Sequence, residues 1–197
     1  MSPARARIGY AVATAIVLLG VTYPLFGDSV VQSLVRDTSG CRGARDIPTP
    51  ANEASTKRAT LCLLNRRRAE HALRPLASSR ALARAARAHS RDMASRRYFA
   101  HDAPGGATPA QRIAAGGYPR EGATVGENLA WGEESAAAPA GIVEGWMESP
   151  GHRANVLRPE YTEIGIGLAY DAPRPVNGRA AIYTTNFGRP PPERTDR

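Results

Sequence analysis

At 197 residues with 42% apolar side chains, the chain is long enough for one ordinary domain with a proper core and short extensions, and too short for two comfortable ones. Its formal net charge of +8 is nearly all arginine, Lys57 being the only lysine, and such a surface favours anionic partners: phospholipid headgroups, cell-wall polymers or nucleic acid. No zinc-finger spacing, RNP-like aromatic run or recognition-helix signature accompanies the charge, so no nucleic-acid partner is expected and a solvated basic surface is the simpler reading.

Arg5 and Arg7 precede an uncharged run over residues 8–26, about 19 residues, which suits a membrane-crossing helix or a long signal sequence. Positive charge before the run keeps that end in the cytoplasm and sends the rest outside. The stretch that follows offers Gly27 for cleavage but puts Leu25 where a small residue is wanted. An uncleaved anchor is therefore favoured over a cleaved signal peptide. Cys41 and Cys62 fit an oxidising exterior, and their even count predicts a disulfide pinning the N-terminal extension to the first helix. The alternative is two unrelated thiols. No further cysteine is available for a metal site.

Residues 1–27 are thus expected to be the signal peptide or anchor and 28–57 an extracellular linker, since "DIPTPANEAST" is rich in Pro and small polar residues. The domain spans 58–189, and a proline-rich tail, 190–197, is expected to be disordered. A first helix is expected over residues 55–72, with Leu61, Leu64 and Ala69 inward and Pro75 stopping it. The second begins after Ser78 or Ser79 and carries Leu82, Ala86, His89 and Met93 on one face. Thr108 and Pro109 open a short helix ended by Gly116 and Gly117. Another, over 139–147, puts Ile142, Val143 and Trp146 on one side. Strand signals come late: "EIGIGLAY" and "AAIYTTNFG" alternate large and small residues around a turn-rich "DAPRPVNGR", predicting an antiparallel hairpin, and "TVGENLAWG" supplies a possible third strand. Helices first and a small antiparallel sheet later is an α+β pattern.

Chemistry concentrates in three segments, "YFAHDAP", "VGENLAWG" and "GWMESPGHRANVL", which supply His101, Glu127 and His152. Imidazoles and carboxylates brought together can bind a divalent metal or move protons. Sequence spacing alone does not join them, and for each histidine a hydrogen-bonded structural role is the competing reading. Asn128 can hold neighbouring loop carbonyls, Asn155 can bond back to the turn at His152, and Arg153 should be exposed. His89, on an apolar stripe, reads as a satisfied core histidine. His71, near a helix end, reads as a dipole partner. Trp131 and Trp146 read as packing residues.

The order of these segments, followed by "IGIG" and "NFG", resembles the CAP superfamily in its bacterial, secreted SCP-like form, over residues 60–188. The resemblance implies a three-layer α-β-α sandwich. It also implies that His101 and His152 are the two histidines of the CAP cavity and Glu127 its first acidic residue. The second acidic position falls on Ser149, with Glu148 one residue early and Glu144 before Trp146. Two imidazoles with at most one carboxylate make an incomplete site for zinc or magnesium, completed by water, weakly held and lost as the histidines protonate. CAP proteins vary in role, several bind lipids or sterols, and catalysis is uncommon among them. The resemblance therefore favours non-catalytic binding of an amphiphile, an envelope component or a protein. A metal-assisted hydrolase with Glu127 as general base, and a structural or adhesion module, are the alternatives. Against the hydrolase, no GxSxG, HExxH or SxxK motif is present. Oligomeric state is not legible.

Overall fold

The computed structural model describes residues 40–192. The charged N-terminus, the apolar run over 8–26 and the tail from 193 lie outside the described residues, and no helix among those described is long and apolar enough to cross a membrane. Five α-helices, Glu53–Ala69 (α1), Arg80–Arg96 (α2), Pro109–Ala115 (α3), Pro139–Glu148 (α4) and Pro150–Val156 (α5), combine with strands Ala77–Ser78 (β1), Thr124–Glu133 (β2), Glu163–Ala169 (β3) and Ala180–Arg189 (β4). The sheet order is β1-β3-β4-β2. The expected β3–β4 hairpin is antiparallel with Ile166 opposite Thr185. The possible third strand is real and pairs antiparallel to the far side of β4, with Glu127 opposite Asn186. β1 runs parallel to the start of β3. Two residues long, it carries no periodicity to read.

The sheet is the middle of three layers. Leu63, Leu64, Val143, Trp146 and Val156 from α1, α4 and α5 pack on one face with Ile164, Leu168 and Tyr183. On the other face, α2 lies across β3 and β4, burying Leu82, Ala86, His89 and Met93 as their spacing predicts. Each fully buried Leu or Ile contributes roughly 1.5–3 kcal/mol relative to exposure. Because β4 is covered on both faces, every residue from Ala180 to Gly188 is buried. Its one-sided alternation in sequence does not survive as an exposed face.

β3 shows why small residues alternate with Ile. Ile164 and Ile166 point to the α1 side, while Gly165 and Gly167 meet α2, where an added Cβ would lie inside the backbone of Leu82 and Ala83 or of Ala86 and Arg87. The helix can approach the sheet this closely only over glycine.

Several details refine the sequence reading, some departing from it and one, the disulfide, as expected. The stretch read as linker is helical from Pro50, which opens a 3-10 turn leading directly into α1 at Glu53. Pro at a first helical position is tolerated because its missing N–H would have had no partner, so the same residue that suggests a linker starts a helix. The Cys41–Cys62 disulfide is formed, across 21 residues of sequence, and Cys41 and Ala44 belong to the core. Along α1, Leu64 is buried but Ala69 is exposed, and the buried residue of the last turn is Arg68. Ser79 takes the N-cap position of α2 without its side chain bonding a helix N–H, whereas Thr108 and Gln111 form a capping box on α3.

Gly167→Val is expected to lower the unfolding free energy by about 3 kcal/mol or more through overpacking. Gly145→Ala, a helical position with open space around it, should raise it by about 0.5–1 kcal/mol. Urea unfolding of the two variants against wild type tests both; a tolerated Gly167→Val would mean that α2 does not sit on the sheet as described.

Candidate functional site

β2 is an edge strand, and its alternating side chains send neighbouring residues to opposite faces. Asn128, fully buried, donates from Nδ2 to the backbone oxygen of His152 (3.0 Å) and accepts from Asn155 Nδ2 (2.9 Å). Asn155 also donates to the backbone oxygen of Glu127 (3.2 Å). Asn155 therefore reaches across to β2, and it is Asn128 that holds the turn at His152. Together they tie α5 to the strand that carries Glu127. Gly126 makes room for this contact, since a Cβ there would collide with the Tyr161 hydroxyl.

Glu127 turns toward α3. Its side chain is 2% exposed, and both oxygens are engaged: Arg112 donates from one terminal nitrogen to Oε1 (3.1 Å) and Oε2 (2.9 Å), and His101 Nδ1 lies 2.9 Å from Oε1. Arg112 is anchored further by the Ala107 carbonyl at 2.6 Å. The loop bearing His101 is set by buried His89, whose Nε2 meets the Ala100 carbonyl at 3.0 Å. The Tyr98 hydroxyl in the same loop donates to Asp92. His89 is thus a satisfied core histidine that also positions the loop. The side chain of His101 remains 53% exposed.

His101 and His152 are pushed apart in acidity. Glu127 raises the pKa of His101, its hydrogen bond outweighing partial burial. Burial lowers that of His152, and the charge of His101 lowers it further. The fold therefore brings His101 and His152 within electrostatic reach of one another, from elements on opposite sides of the sheet.

The donor set does not fit a zinc or magnesium centre with Glu127 as a ligand. A metal would have to displace a guanidinium from both carboxylate oxygens, and among the described residues no group of three or more His, Cys, Asp and Glu side chains could hold an ion. Glu148 is exposed at the end of α4, in a shallow groove with Arg153, Ala154 and Leu157. Ser149 joins α4 to α5, its carbonyl accepting from the Arg153 N–H at 2.8 Å. Arg153 is half-buried and donates to His71 Nε2 at 3.0 Å, while His71 Nδ1 faces the Arg67 carbonyl at the end of α1. Trp146 is buried with its indole N–H on the Leu129 carbonyl (3.0 Å), and Trp131 is half-buried under Arg174. Arg112 is the site residue that sequence reasoning misses. It is one arginine among many, and nothing in the short helix around it marks a buried ion pair.

The histidine shifts predict opposite pH dependences. A raised His101 pKa stabilises the fold fully below the unfolded value near 6.5, and that contribution is lost as pH rises through the raised pKa. The lowered His152 pKa works the other way, costing stability as pH falls below about 6.5. NMR titration should place His101 above the ordinary imidazole value and His152 below it, and Glu127→Gln should return His101 toward that value. An unchanged His101 titration in Glu127→Gln would show that the 2.9 Å contact is not made in solution.

Known proteins bear on this arrangement. The Cysteine-rich secretory protein family, CAP, matches residues 61–187. Among individual proteins, the chain is 35% identical to the uncharacterized protein YkwD of Bacillus subtilis over 118 residues, 60% of this chain and 44% of that one. It is 32% identical to the uncharacterized membrane protein YlbC of the same organism over 116 residues, 59% and 32% of the two chains. It spans less than half the length of either relative. A crystal structure of an extracellular protein containing an SCP domain from Bacillus anthracis superposes with a TM-score of 0.55 at 29% identity, covering 72% of this chain and 45% of that one. An outer surface protein from Borrelia burgdorferi shares the fold, with a TM-score of 0.59 at 21% identity over 71% of this chain and 95% of that one. With the family matched over most of the chain and the three-layer sandwich in place, this protein belongs to the CAP family of cysteine-rich secretory proteins.

Proposed function

We propose that the chain is an extracellular CAP domain protein, held at the membrane by its N-terminal apolar run, that binds a small amphiphile or envelope component without catalysis through the cleft at His101 and His152. The observation that carries this reading is the state of Glu127. A general base needs a free lone pair within reach of the proton it takes. Glu127 is buried, and each of its oxygens already accepts from Arg112 or His101. With three of its roughly four acceptor positions occupied and its side chain only 2% exposed, it is poorly placed to activate water.

What remains available for a ligand is amphipathic. His101 presents an exposed imidazole whose protonated form is favoured, suited to a carboxylate or phosphate head. Phe99, in the same loop, is 42% exposed and is the one large apolar side chain so exposed among the described residues. A protein, lipid or envelope fragment with an anionic head and an apolar body matches both. A divalent ion held here would rest on His101 and His152 with water in its other positions, and would bind weakly and release as pH falls.

The test is equilibrium binding of a fluorescent long-chain carboxylate to the full chain near pH 6.5 and pH 8.5. His101→Ala and Phe99→Ser are each expected to weaken binding about tenfold, equivalent to about 1.4 kcal/mol. Wild-type affinity should fall at the higher pH. Affinity indifferent to both substitutions would remove the cleft from the reading, and hydrolysis of envelope polymer abolished by Glu127→Gln would replace it with a hydrolase.

A further inference from the structure

The exposed face of α2 carries a feature that the cleft does not use. Arg80, Arg84, Arg87 and Arg91 follow one another at i, i+4, i+7 and i+11, which at 100° per residue places them within an arc of about 60° over about 16 Å of helix. The arc is opposite the buried stripe of Leu82, Ala86, His89 and Met93. Arg80, Arg84 and Arg91 are exposed and Arg87 is half-buried. Among the described residues none of the four makes an ion pair with a carboxylate. Arg84 donates to the Gly116 carbonyl (2.7 and 3.0 Å), which fixes its direction without neutralising it. Arg87 feels the field of Glu53, but that carboxylate is already paired with Lys57. Across a narrow groove lined by Arg80, Arg58 of α1 continues the row, with Lys57 beside it paired to Glu53.

Four like charges on adjacent turns repel one another and weaken an isolated helix by a few tenths of a kcal/mol per pair. We infer that this arginine row is a binding surface for a linear, phosphate-bearing polyanion lying along α2. The linear spacing suits a chain of repeating charge. Surfaces that dock on a bilayer set Trp, Phe or Leu beside their cations for insertion. Here the side chains beside the arginines on the exposed arc are Ala83, Ala88, Ala94 and Ser95. Platforms for single-stranded nucleic acid interleave aromatic rings on which bases stack, and this helix has none. Recognition is by charge along the row.

Binding of inorganic polyphosphate to the full chain, measured across a salt series, tests the inference. At roughly 0.7 per neutralised phosphate, replacing Arg80, Arg84, Arg87 and Arg91 together by Gln should reduce the slope of log affinity against log salt by about 3 units. The same four changed to Lys should keep the slope, which separates lost charge from lost folding. Arg42, Arg45, Arg74 and Arg120, exposed elsewhere, changed together to Gln alter net charge equally and should leave the slope within one unit of wild type. Equal loss in that control would overturn the inference in favour of net charge alone. So would absence of polyphosphate binding, or a row-dependent preference for phosphatidylglycerol over phosphatidylcholine vesicles with none for polyphosphate, which would make the partner a bilayer.

Discussion

The site depends on a buried guanidinium that belongs to neither the cleft nor the basic surface. Arg68 is fully buried, with no carboxylate among its hydrogen-bond partners, and donates to the carbonyls of Arg74, Val156, Arg158 and Tyr161 at 2.8–3.0 Å. Taking a cation out of water costs several kcal/mol after relaxation, and burial lowers its pKa accordingly. The cost is offset because the acceptors are carbonyls that need partners: that of Val156 ends α5, and that of Arg158 has besides Arg68 a long contact from the Tyr161 N–H at 3.4 Å. The negative end of the α5 dipole adds to the attraction. One side chain thus fastens the end of α1 to the segment that aims α5.

That fastening decides what the cleft can be. α5 carries His152 and Asn155, and Asn155 reaches the Glu127 carbonyl and Asn128. The position of Glu127 is fixed from behind by α5 and β4, and from in front by Arg112 and His101. A carboxylate so enclosed is a structural anion, and its chief effect is on its neighbour. It makes His101 the more basic of two imidazoles, and the charge of His101 makes His152 the less basic. Placing titratable groups close together and driving their protonation apart can serve acid–base chemistry. It can serve ligand capture equally.

Apolar periodicity carries most of the fold in the sequence and little of the site. The stripe on α2, the alternation of Ile with Gly in β3 and the turn residues before β4 are legible because each reflects a single local constraint: a face, a close approach, a reversal. Arg68 and Arg112 are illegible for the converse reason. Periodicity assigns an arginine to solvent, and only the tertiary placement of distant carbonyls or of Glu127 makes burial affordable. The same holds for Asn155, whose partners lie 27 and 28 residues away. The region before α1 misleads differently, since Pro50 and its small neighbours suit a linker and a helix start alike. The disulfide to Cys62 and the packing of Ala44 in the core decide between them, and neither is a local property.

The distribution of arginine shows how one residue type divides the molecule into regions of different character. Inside, Arg68 is satisfied by carbonyls, while Arg112 directs its terminal nitrogens to Glu127 and the Ala107 carbonyl and leaves its buried Nε without a partner. At the rim, Arg97 pairs with Asp171 and Arg158 with Glu160, exposed contacts that contribute little to stability. Along the row of Arg80, Arg84, Arg87 and Arg91 on α2, no charge among the described residues is paired with a carboxylate, and three of the four are exposed. An excess of +8 spread evenly would give a weak, diffuse field, whereas four of the charges set in line on one helix focus it at close range, within about a Debye length of 8 Å at physiological salt. The His101 loop and the helix therefore present different chemistry to the surroundings: one an imidazole made more basic by Glu127, in a loop that also exposes Phe99, the other a row of guanidinium groups.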